Sequence, residues 1–216
     1  MEYNKKFFEK IFSAKRMGRY FASHGDVNKA TLHYQCNIEL SEAFYSCLSV
    51  LEVALRNAMC RELTKMAGRE DWYVNFSNTA GLKSLNNDIK QANKRIVRRG
   101  EVISHSKIVA ELTLGFWVSM LNSEYEKVLW KDLRRAFPTM PKTERKRKNI
   151  STPLNRIRNF RNRIFHHEPI CWNLDVVKSI HRDMLEVMGW INTDLPTWVS
   201  NIDRVDSVIT TIKQKL

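Results

Sequence analysis

The chain has 216 residues, 43% of them apolar, enough to pack a core and to exclude disorder of the whole chain. Lys and Arg exceed Asp and Glu by 13 charges, so its field attracts polyanions, and RNA, DNA or an anionic membrane surface is a better first partner than an acidic protein. Four cysteines without a CxxC pair, and no run approaching the roughly 18 apolar residues of a membrane span, argue against a disulfide scaffold, an export signal and a transmembrane segment; a reduced, cytoplasmic protein without a membrane partner is expected.

Glycine and proline are scarce, at 7 and 5, and no long β-branched alternation interrupts the chain. The pattern predicts an all-α fold, one helical bundle with additional helices, as a single domain over residues 1–216. A first helix is expected from about Asn4 to Phe21, ending at "SHGD", where Gly25 can stop it and Asp26 can cap the next. From there to Met66 apolar residues recur at three and four, through Leu40, Phe44, Cys47, Leu48, Leu51, Leu55, Met59 and Leu63. "AGREDWYVNFSNTAG" reads as a long connection anchored by Trp72, Tyr73 and Phe76. A basic helix follows from about Leu82 to Arg99, then an apolar one from Ser106 to Asn122, then a helical pattern from Tyr125 to Phe137. "PTMPKTERKRKN" is the most linker-like segment. After it, a helix starting near Glu144 or Ser151 runs to His167, and another, capped by Asn173, runs to about Ile191. "TDLPTWV" makes a turn with a buried tryptophan, and a short helix from Asn201 closes the chain.

The chemistry concentrates in "RNFRNRIFHHEPICWN", Arg158 to Asn173. The apolar stripe of this helix reads Ile150, Leu154, Ile157, Arg161, Ile164, Phe165, so an arginine takes an inward position. A buried guanidinium needs a carboxylate or an anionic ligand. Asn162 and His166 are four apart and share a face, whereas Arg161 and His166 are about 140° apart on an ideal helix and meet only if its end unwinds. Pro169 forces that unwinding near His167 or Glu168, because the residue before a proline is pushed out of the α region. Histidine, with an ordinary pKa of about 6.5, can exchange a proton with a ribose 2′-hydroxyl, while an arginine fork holds phosphate and asparagine orients either. Such a set cleaves RNA without metal, giving a 2′,3′-cyclic phosphate. Histidines at a helix end also cap free carbonyls and favour the dipole, which needs no catalysis. "HHE" is no metal site, since adjacent histidines diverge on a helix and the other four are scattered; neither metal nor cofactor is expected.

Glu52 and Arg56, four apart, form either a local helix pair or, for Glu52, a partner to Arg161 across the bundle. Nine Lys or Arg against one acidic residue lie between Lys142 and Arg163. Arg145, Lys146, Arg147 and Lys148 from this run, with Lys90, Lys94, Arg95, Arg98 and Arg99 on another helix, form either a solvated face or an RNA track that reads phosphate and not bases.

"RNRIFHHEP" resembles the Rx4-6H motif of the HEPN superfamily, and the ordered set "LEVALRNAMCREL", "DWY", "LTLGFWVSML", "YEKVLW", "RIRNFRNRIFHHEPI" and "LPTWV" resembles its Abi-like, abortive-infection branch. The resemblance implies a HEPN-like helical bundle, a homodimer whose paired motif helices form a composite ribonuclease site, and a role in phage defence or as a toxin. By position, Arg161 acts on phosphate and His166 in acid/base work, with Asn162 beside them; His167, which also satisfies the looser spacing, is a supporting or substitute group, and Arg158, Glu52 and Arg56 are candidate supporting groups. A regulatory RNA or an antitoxin is a compatible further partner. The reading from another class is an RNA-binding or antitoxin-regulated interaction protein of the same fold without turnover.

Overall fold

The computed structural model describes residues 4–79 and 81–216; Ala80, inside the expected connection, lies outside them. Among the described residues the chain is helical without a strand: α1 (Lys5–Phe12), α2 (Ala14–Ser23), α3 (Val27–Ala43), α4 (Tyr45–Ala67), α5 (Lys83–Arg98), α6 (His105–Glu111), α7 (Leu114–Ser119), α8 (Lys131–Leu133), α9 (Arg147–Phe165), α10 (Leu174–Ile191), α11 (Leu195–Val199) and α12 (Val205–Lys215). Local chemistry sets many of the ends. The side chains of Asn4, Asp26, Ser104 and Asn173 accept from first-turn amides of α1, α3, α6 and α10. Gly68, at φ 67°, stops α4 in the left-handed region where a Cβ would be strained.

α4, α9 and α10 form the centre: α10 and α7 each pack on both α4 and α9. The stripe Leu40, Phe44, Cys47, Leu51, Leu55, Met59 and Leu63 is wholly buried there. Trp72, in a 3-10 turn after α4, meets Trp117 of α7 with ring centroids 5.9 Å apart, and both indoles are 0% exposed. Two such rings, each removing on the order of 200 Å² from water, fix the α4–α7 wall against which α9 lies. On the far side α2 packs on α1 and α3, and α12 closes on α3.

Several expectations are corrected. The first helix is two, broken at Ser13, whose hydroxyl accepts from Arg16 N and starts α2. The Ser106–Asn122 segment is also two helices, because Thr113 turns extended and caps Phe116. Tyr125 to Phe137 winds through short 3-10, π and α turns. The linker-like run is pinned: Arg145 donates to the carbonyls of Pro138 and Met140, and Met140 is buried. The stripe of α9 passes through Phe160, not Arg161, and Phe165 is 49% exposed. Trp198 is exposed in α11, where Val199 takes the buried place, and the last helix starts at Val205.

Candidate functional site

The C-terminus of α9 closes as a Schellman turn: His167 N donates to Ile164 O at 2.9 Å and Glu168 N to Arg163 O at 2.8 Å. The left-handed position of that turn, usually glycine, is His167, at φ 54°. A side chain there costs about 1–2 kcal/mol. Three ties hold it. Arg16 of α2 donates from Nη1 to the His167 carbonyl. Arg163 donates to Pro169 O and pairs with Glu168 at 3.3 Å. Asn37 of α3, buried, accepts through Oδ1 from Ile170 N at 2.6 Å and Cys171 N at 3.1 Å. His33, one turn earlier, reaches Cys171 O with Nε2 at 3.2 Å. A carbonyl only accepts, so in neutral His33 that nitrogen carries the proton and Nδ1 accepts from His24 Nε2 at 2.9 Å. Burial holds the His33 imidazole below its ordinary pKa, consistent with a neutral ring.

The motif side chains fan out from this end. Arg161 turns towards α4: its Nη2 stands 4.0 Å from Glu52 Oε2 and its guanidinium carbon 4.0 Å from the Phe165 ring centroid. Its Nε is buried without a hydrogen-bond partner. Glu52 therefore faces Arg161, and Arg56 instead donates to Asn57 at 3.4 Å. Glu52, Arg56 and Phe165 line a hollow of about 270 Å³ with Tyr45 and Val53. Asn162 opens with Arg158 and Asn159 onto a different cleft, of about 550 Å³, facing Asp88, Gln91, Asn122 and Tyr125. Desolvation raises the Asp88 carboxyl above its ordinary value. His166 and His167 line a third cavity, with Lys15, Arg16 and Arg19 of α2. Asn162 and His166, expected on one face, are still joined by a helical hydrogen bond, His166 N to Asn162 O at 2.9 Å, yet they line different cavities. Within the chain the three motif groups border one helix end and do not share one cavity.

The basic runs divide as sharply. Arg95 and Arg99 are both held by Glu111, at 2.6 and 2.8 Å, and Arg147 is held by Glu126 at 2.7 Å and the Leu121 carbonyl. With Arg145 tied to backbone, these four arginines knit the fold. Lys90, Lys94, Arg98, Lys146 and Lys148 are exposed.

Sequence reasoning missed the approach of α2 to the histidines, which are some 150 positions away in the chain and leave no local signal. It also missed a group of Cys47, His181 and Asp203, the first two buried and the third partly so. His181 Nε2 lies 2.6 Å from Asp203 Oδ2 and 3.9 Å from Cys47 Sγ, and burial pushes the Cys47 thiol up to about 12. Ligands of one tetrahedral zinc stand roughly 3.3 Å apart or more, so His181 and Asp203 at their present separation are hydrogen-bonded to one another. Among the described residues no helix is long and apolar enough to cross a membrane.

A sequence model of the family described as Abi-like protein matches residues 2–173, ending just past the Schellman turn of α9. No curated protein and no solved structure matches the chain.

Proposed function

The chain belongs to the Abi-like family, and from that premise we propose that it is a metal-independent ribonuclease of the HEPN type, acting in abortive infection or as a toxin. The observation that carries the reading is the end of α9. It presents an arginine with an unpartnered Nε and a 4.0 Å carboxylate contact, an exposed asparagine and two exposed histidines. Arginine stabilises phosphate charge, and histidine takes the 2′-hydroxyl proton and returns one to the leaving oxygen. Wild-type protein is expected to cleave single-stranded or looped RNA in excess EDTA and to leave 2′,3′-cyclic phosphates. Activity that vanishes with chelator and returns with magnesium sinks the mechanism, and RNA binding without any cleavage favours the non-catalytic binder.

Because one protomer spreads its motif groups over separate cavities, the site is complete in a twofold dimer that brings two α9 ends together. Tyr45, Val53 and Phe165, exposed by 66%, 43% and 49%, surround the Glu52–Arg161 pair and offer the apolar contact for such pairing. Phe165→Asp is expected to convert the dimer to monomer in light scattering at micromolar concentration and to lower cleavage by about 100-fold or more, the usual contribution of one catalytic group. A monomeric wild type that cleaves RNA contradicts the composite site.

The exposed cations contribute affinity without base choice. Lys146→Glu or Arg98→Glu should weaken RNA binding and flatten the slope of log affinity against log salt by about one unit per lost phosphate contact. An unchanged slope identifies these residues as a solvated face.

A further inference from the structure

Among the described residues only two other than glycine have positive φ, Ser13 at 71° and His167 at 54°. Both border the same cavity of about 420 Å³. Strained backbone persists where surrounding contacts over-determine it, and it gathers at ligand sites. Arg16 joins the two strained points: its backbone N–H donates to Ser13 Oγ at 3.3 Å and its guanidinium to the His167 carbonyl.

The wall around them is cationic. Lys15, Arg16 and Arg19 line the cavity, and among the described residues none of them has a carboxylate within ion-pair reach. Glu168, the acidic residue of the lining, is already paired with Arg163. Arg19 stacks its guanidinium 4.5 Å from the Trp172 ring centroid, which fixes the plane and leaves edge N–H donors for a ligand. Ser13 and Lys15 also place the positive end of the ten-residue helix α2 at the rim. Tyr20 adds a hydroxyl whose pKa burial raises, so it remains a donor.

We propose that this cavity, built by the α1–α2 hairpin against His166 and His167, is a phosphate subsite that holds an RNA backbone phosphate next to the scissile one. The ligand's identity rests on the ribonuclease reading; the anion site itself does not. Lys15, Arg16 and Arg19 are binding residues here, and Arg16 doubles as the tie that keeps His167 in place.

The probe is adenosine 3′,5′-bisphosphate, which carries the phosphates on both sides of one ribose, titrated calorimetrically into the full chain at low salt. Saturable binding is expected, absent for adenosine and weaker for inorganic phosphate. Lys15→Ala and Arg19→Ala, both at exposed positions, should each weaken it by about tenfold, the cost of a charged hydrogen bond. Arg19→Lys, which keeps the charge but loses the stacked fork, should recover only part of it, and Lys213→Ala, outside the cavity lining, should leave it unchanged. Binding that is absent, or that survives both alanine variants, overturns the subsite. Inorganic phosphate bound as tightly as the bisphosphate overturns its assignment to RNA. A chain that binds the bisphosphate at these residues yet cleaves no RNA keeps the anion site and loses the ribonuclease; one that cleaves RNA equally well with both alanine variants keeps the ribonuclease and loses the subsite.

Discussion

His166→Ala is expected to abolish RNA cleavage and any growth toxicity while leaving RNA affinity within a few fold, since one imidazole adds little to the polyanion attraction of a chain with a net charge of +13. Arg161→Ala damages both. It removes the guanidinium from its stack on Phe165 and takes from Glu52, on α4, the cation that faces it from α9, leaving Arg56 as the other charge lining the hollow. Measured cleavage should fall by about 100-fold or more, the usual effect of removing a group that stabilises transition-state charge. His167 divides into side chain and backbone. His167→Gly relieves the left-handed strain and should stabilise the fold by about 1 kcal/mol, whereas His167→Ala keeps that strain. If His167 only supports, both variants cleave RNA at similar, moderately reduced rates. If His167→Gly and His167→Ala are dead while His166→Ala is active, the histidine roles are exchanged. If every variant at 161, 166 and 167 acts as wild type, the α9 end is a capped terminus and nothing more.

The helices that declared themselves in the sequence are those whose ends and faces are set by neighbours in the chain. Asp26 and Asn173 cap α3 and α10 as their spacing predicts, and α5 falls within a residue of its expected limits. Breaks inside apolar runs stayed hidden, because Ser13 and Thr113 read as tolerable helix residues and cap only when the backbone has already turned. The stripe of α9 lies one step from the one its spacing predicts. Phe160, omitted from the pattern, is 3% exposed against Phe44, so Arg161 sits at the border of the core and not within it. The Glu52–Arg161 approach was legible because Glu52 lies beside the apolar positions Leu51 and Leu55, and a charge at the border of each of two packed stripes invites a partner. Basic residues were legible as charge but not as roles. Whether Arg145 binds RNA or the Pro138 and Met140 carbonyls depends on a turn that composition does not describe. The cationic wall from α2 and the clamp from Asn37 join positions more than 130 apart, and no local periodicity encodes such contacts.

Asn37→Ala tests that clamp with the second large effect. Asn37 is 3% exposed, and its carboxamide oxygen is the acceptor for both Ile170 N and Cys171 N, whose residues are themselves 3% and 4% exposed. Alanine leaves two buried amides without a partner. At the usual cost of a buried unsatisfied donor, the loss is about 2–4 kcal/mol, or a fall in melting temperature of roughly 10 °C for a chain of this size. Asn37 also donates from Nδ2 to Glu168 O at 3.4 Å, so the turn that presents His166 and His167 loses its attachment to α3 at the same time. Cleavage should therefore drop further than the unfolded fraction accounts for, when both are measured well below the melting point. Asn37→Asp separates the two effects, because its carboxylate still accepts from Ile170 and Cys171 while it loses the donor to Glu168 and buries a charge. It should recover part of the stability, and cleavage should follow the stability if the bond to Glu168 O has no positioning role. An Asn37→Ala chain that melts like wild type shows that the turn is held by Arg16 and Arg163 alone, and one that melts early yet cleaves normally at low temperature shows that α3 stabilises the histidines without positioning them.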